Sequence, residues 1–213
     1  MLAIIAIFRE SFERAFLKPE LEIDFHNYPP YSHKTVMDFP VNSIFPREPT
    51  ITLKDIPVYY FSFIVINKGK KQAKNCEVVL EEVSKKDKDG SWVEENYIPV
   101  NLRWVIPDNP QFVSINPGRR LYCNIGHILH PEHQEKEASS WRFMPTEDKG
   151  KPVFKLDLRQ YFYYQRDCLT PGEYKIKVSI YSEDAKKKER VFNIKWTGEW
   201  KENDIINNEI IIK

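Results

Sequence analysis

The fold class the sequence predicts is all-β, an antiparallel β-sandwich preceded by one amphipathic helix. Three observations predict it. Apolar runs of strand length recur along residues 18–200, separated by turn residues, at the spacing of a sandwich. No stretch beyond residue 17 repeats its apolar residues at helical intervals. The stretch at 55–83, DIPVYYFSFIVINKGKKQAKNCEVVLEEV, reads as two strands joined by a short basic loop, and the other runs are arranged around it.

Residues 1–17, MLAIIAIFRESFERAFL, form the predicted helix. Ile5, Phe8, Phe12 and Phe16 fall at helical spacing and make an apolar stripe, opposite Arg9, Glu10, Glu13 and Arg14. The apolar run LAIIAIF is too short to cross a bilayer and lacks the flanks of a secretory signal. Lys18-Pro19 ends the helix. The expected organisation is therefore a helix at 1–17, a β-sandwich at 18–200 and a C-terminal tail at 201–213.

Leu21, Ile23 and Phe25 alternate with Glu22 and Asp24 as a first strand. Residues 26–49 have no period and are expected as an ordered crossing over the surface. Ile51-Thr52-Leu53 reads as a short edge strand. Residues 58–66 are aromatic or β-branched except for Ser62, as in a strand covered on both faces. Asn67-Lys68-Gly69 supplies residues that tolerate positive φ, hence a turn. Cys76, Val78 and Leu80 then alternate with Glu77, Val79 and Glu81, so one face is buried and one is wet.

The run SKKDKDG is a hairpin tip; it begins like a calcium loop but lacks the later ligands. Residues 92–105 are expected as one strand, with Ile98, Val100, Leu102 and Trp104 on a single face and Pro99 marking an edge or bulge. Further strands are expected at 112–115, 119–128 and 153–158, with a polar excursion at 131–151 between the last two. Tyr174, Ile176, Val178 and Ile180 line one face of the next strand, and 191–196 is the last core strand.

Composition excludes several functions. The 32 basic and 31 acidic residues leave a net charge of +1, no electrostatic footprint for nucleic acid. Only 7 glycines disfavour phosphate-cradling loops. Cys76, Cys123 and Cys168 are odd in number and lack CxxC spacing, so a disulfide framework is not expected and a reducing, cytoplasmic-side location is favoured.

The phrases FSFIVINKGKKQAKNCEVVLEEV, NPGRRLYCNI and LTPGEYKIKVSIYSE resemble the strand pairs and Pro-Gly turns of bacterial and archaeal immunoglobulin-like modules, of the cell-adhesion-related (CARDB) and fibronectin-III-like sort. The resemblance spans residues 51–196 and implies an immunoglobulin-like sandwich, a prokaryotic source, and binding or assembly in place of catalysis. It also likens Tyr174, after Pro171-Gly172, to a tyrosine corner whose hydroxyl bonds back to nearby backbone.

Candidate sites are few. Tyr161, Tyr163, Tyr164 and Trp92 could form an aromatic surface for a sugar or small ligand, against the plainer reading of core and edge aromatics. His127, His130 and His133 are the densest set of coordinating groups. Pro131 opposes a regular helix through them, and on a strand His127 and His130 point to opposite faces, so no metal site and no cofactor are expected. No GxSxG, P-loop, GxGxxG or HExxH is present, and no catalytic residues are assigned. The leading expectation is a non-catalytic interaction or assembly module with a protein partner or a second copy, and membrane proximity through residues 1–17. A carbohydrate- or ligand-binding module and an unrecognised hydrolase are the alternatives.

Overall fold

The computed structural model describes residues 17–41, 51–133, 153–160, 162, 165–201 and 210–213. The expected helix at 1–17 lies outside these residues, except for Leu17. The strands are β1 (Leu21–Asp24), β2 (Ser32–Val41), β3 (Ile51–Asn67), β4 (Ala73–Lys86), β5 (Trp92–Glu94), β6 (Val100–Asn101), β7 (Val113–Ile115), β8 (Arg120–Leu129), β9 (Phe154–Leu156), β10 (Cys168–Leu169), β11 (Gly172–Tyr181), β12 (Lys188–Trp196) and β13 (Ile210–Ile212). Every pairing is antiparallel. Among the described residues, only 131–133 are α-helical, and no helix is long and apolar enough to cross a membrane.

Two sheets result. A six-stranded sheet runs β1-β3-β8-β9-β10 with β2 also on β3; a seven-stranded sheet runs β13-β12-β11-β4-β5 with β6 and β7 also on β4. Their inner faces share one core, in which Phe63 of β3 meets Phe192 of β12 with ring centroids 5.5 Å apart. The expected core residues Phe61, Phe63, Val65, Val78, Leu80, Ile176, Val178 and Ile194 are all buried.

Asn67 ties the start of the fold together. Its side-chain oxygen accepts from the Gly69 amide at 2.9 Å and the Glu20 amide at 3.1 Å. Its amide nitrogen donates to the Lys71 and Ile115 carbonyls at 2.7 and 2.8 Å. A fully buried amide with both ends bonded holds its neighbours in one arrangement. Gly69 lies against the Lys18 carbonyl and Pro19, where a Cβ has no room.

Four expectations need correction. Residues 32–41, expected as a surface crossing, form β2; as an outer strand beside β3 it tolerates Pro40 and polar residues that hide the period. The segment 92–105 is not one strand. β5 is exposed, Ile98 is 51 % exposed, β6 pairs β4, and Leu102 and Trp104 then bridge Leu158 and Cys123 in the other sheet. Pro99 removes a ladder donor where the chain leaves one pairing for another. Ile210 and Ile212, placed in a tail, are buried in β13 against β12. Tyr174 is buried, but its hydroxyl lies 3.1 Å from the Thr170 hydroxyl; the partner is a side chain where backbone was expected.

Because Phe63 is fully buried between the sheets, Phe63→Ala should cost about 3–5 kcal/mol through lost transfer energy and a cavity. Lys70→Ala, in the exposed loop, should cost less than about 0.5 kcal/mol. Urea midpoints measure both, and equal midpoints would contradict this account of β3.

Candidate functional site

The polar residues of the apolar strands converge where β8 changes neighbours. A bulge between Phe61 and Ser62 of β3 leaves Ile125 of β8 without a register partner. On one side of it, Gly126 and His127 pair with β9. On the other, the Asn124 amide donates to the Arg103 carbonyl at 3.0 Å. The Arg103 amide donates to the Asp157 carbonyl at 3.2 Å, and the Asp157 amide to the Ile125 carbonyl at 3.1 Å. The ladder forks here, and a bulge at a fork re-aims side chains.

A chain of side chains fills the fork. The Ser62 hydroxyl donates to Asn124 Oδ1 at 2.6 Å, and Asn124 Nδ2 donates to Asp157 Oδ2 at 2.8 Å. His127 Nδ1 lies 3.2 Å from Asp157 Oδ1. His127 and Asp157 are only 5 % and 6 % exposed. Burial drives the Asp157 carboxyl upward, but the facing His127, the Asn124 amide and the Arg103 charge outweigh it and hold the carboxyl below its ordinary value. Burial, with the charge of Asp157, pushes the Cys123 thiol well up. A buried neutral thiol is a core filler.

The order of this chain limits its chemistry. A nucleophilic mechanism needs the hydroxyl against the imidazole. Here the Ser62 hydroxyl is turned to Asn124, and the carboxylate lies between it and His127. The arrangement is that of a buried polar network inside a packed region.

The three histidines separate. His127 belongs to the fork. His130 ends the strand, and Pro131-Glu132-His133 begin a helical turn. Pro131 takes the first helical position, where its missing N–H and fixed φ are tolerated. His130 is the cap: the Glu132 amide donates to its Nδ1 at 3.4 Å, and the His133 amide to its carbonyl at 2.9 Å. Ligand atoms of His130, Glu132 and His133 all lie within 4.8 Å of one another. His130 also packs edge-on against Trp200, with ring centroids 5.2 Å apart. The objection from Pro131 therefore does not hold for this pair.

Trp92 is 39 % exposed on β5, and Lys175 Nζ stands 4.1 Å from its ring centroid. That ring face is occupied by a cation, where a stacking surface would leave it open. Tyr161, Tyr163 and Tyr164 lie outside the described residues. Cys168 forms no disulfide and lines a surface cavity of about 240 Å³ with Tyr97, Arg166, Thr170 and Tyr174, and its Sγ lies 3.3 Å from Asp167 Oδ1.

Sequence reasoning missed Ser62, Asn124 and Asp157 as a set. The signal was there: each is a short polar residue inside an apolar strand phrase, FSFIV, YCNIG and FKLDL. Linear spacing does not reveal that a bulge brings them together. No family model matches this chain, and no curated protein or solved structure matches it.

The depressed Asp157 fixes the sign of an acid effect. Its unfolded value is about 3.9, so its contribution is complete above that pH and is lost as pH falls through the lower folded value. Asp157→Asn should cost about 1–3 kcal/mol at pH 7 and lose less stability than wild type on acidification. Urea unfolding at neutral and acid pH measures both; parallel acid losses would contradict the assignment.

Proposed function

We propose that the chain is a non-catalytic interaction module of the immunoglobulin-like sandwich kind, and that it associates with a second copy of itself through the ribbon of β2 and β3. One observation carries this reading. β3 pairs with β8 only from Val58 onward, whereas its pairing with β2 runs on to Ile51. Among the described residues, residues 51–56 therefore have β2 as their one strand partner.

A two-stranded ribbon is marginal by itself and gains stability from a further strand or a covering surface. An outer strand edge is a template for strand addition. Ile56, Val58 and Leu129 form a small second core at the ribbon's base, with Met37 and Tyr60 against it. Val36 is 55 % exposed on β2 and adds an apolar contact. Pro40 and Pro57, with Lys34 and Lys54, limit indiscriminate edge pairing. The likeness of Asn67-Lys68-Gly69 and the following strand to immunoglobulin-like modules supports the same class. The apolar stripe of Ile5, Phe8, Phe12 and Phe16 is a second candidate contact, including one beside a membrane on the cytoplasmic side.

Light scattering across a concentration series tests the reading. Wild type should show a monomer–dimer equilibrium, and Val36→Asp should weaken it about tenfold, roughly 1.4 kcal/mol, at unchanged thermal midpoint. A wild-type chain that stays monomeric, or a variant that dimerises equally, contradicts it.

A further inference from the structure

We infer that His130, Glu132 and His133 form a binding site for a divalent transition-metal ion of the zinc type. The reasoning is independent of the ribbon. Two imidazoles and a carboxylate are a borderline nitrogen–oxygen donor set suited to zinc, with a fourth position left for water or a further ligand.

The backbone builds the site. With His130 as cap and Pro131 at the first helical position, the chain turns sharply enough to bring His130 and His133 to the same end. The ring of His130 packs edge-on against Trp200, with ring centroids 5.2 Å apart.

The distances are close to those of a loaded site. Bond lengths near 2.0–2.2 Å put tetrahedral ligand atoms about 3.4 Å apart. His130 Nδ1 and Glu132 Oε2 are 3.9 Å apart, and the whole set falls within 4.8 Å; coordination through Nδ1 replaces the long 3.4 Å bond from the Glu132 amide, because that nitrogen has one lone pair. Glu132, whose side chain is 80 % exposed, turns at little cost and takes up part of the remaining contraction. A second observation points to a ligand. His133 Nδ1 is out of contact with solvent and has no hydrogen-bond partner. A buried polar atom left so is costly, and a coordinated cation satisfies an imidazole lone pair.

Isothermal titration of tag-free, chelator-treated protein with zinc sulfate, paired with metal analysis, is the test. One zinc per chain is expected. Glu132→Gln and His133→Ala should each weaken binding about tenfold or more, while the exposed His33→Ala should not. Cobalt(II) in place of zinc should give the intense visible bands of a tetrahedral site in wild type and lose them in His133→Ala. Glu132→Gln, altering an exposed side chain, keeps the test valid if His133→Ala fails to fold. No binding, or equal binding by wild type and Glu132→Gln, overturns the site.

Discussion

The constraint on which the rest depends is that the C-terminal half of β3 is covered on both faces. Tyr59, Phe61, Phe63 and Val65 are buried on alternate positions, and so are Ser62, Ile64 and Ile66 between them. A strand in that position needs β-branched and aromatic residues throughout, and it leaves no water for any polar group within it. Ser62 is the exception, at 3 % exposure. Its hydroxyl must find a protein partner, and it finds Asn124. Asn124 must then satisfy its own amide, which leads to Asp157, and a buried carboxylate in turn requires His127 and Arg103 nearby. One polar residue in a doubly covered strand thus entails a whole network.

That network sits where the sheet changes partners, and the coincidence has a geometric cause. The bulge beside Ser62 interrupts the β3–β8 ladder, and the next strand over splits into β9 and the segment around Arg103. Backbone groups at such a fork cannot all meet a regular ladder, so short polar side chains and an arginine complete it. Arg103 Nε, for example, donates to the Leu158 carbonyl at 2.9 Å. The fork also decides what the histidines do. His127 lies before the end of the ladder and is drawn to Asp157. His130 lies past it, where the chain is released into the helical turn.

The sequence exposed those parts of the fold whose physics is local. The unbroken run at 58–66 and the alternation of β4 and β11 marked the core, because burial and period speak through residue type alone. Asn67-Lys68-Gly69 was legible as a turn, although not as the buried amide that links Glu20, Lys71 and Ile115. β2 was illegible because an outer strand need not alternate and can carry proline. The break at 92–105 was illegible because strands that change partners keep an apolar pattern that looks continuous. Of the candidate sites, Trp92 was visible as an aromatic, but the lysine over its face comes from β11, far along the chain. Pro131 was recognised as a helix breaker, whereas its place at the first helical position is a matter of register.

β3 carries two regimes in one strand: residues 58–67 between neighbours on both sides and, among the described residues, residues 51–56 in a ribbon with β2 alone. Native-state hydrogen exchange followed residue by residue tests this most directly. The account predicts that amides of residues 61–66 exchange only through global unfolding, while those of residues 52–56 exchange orders of magnitude faster through local opening. Uniform protection along residues 52–66 would contradict it.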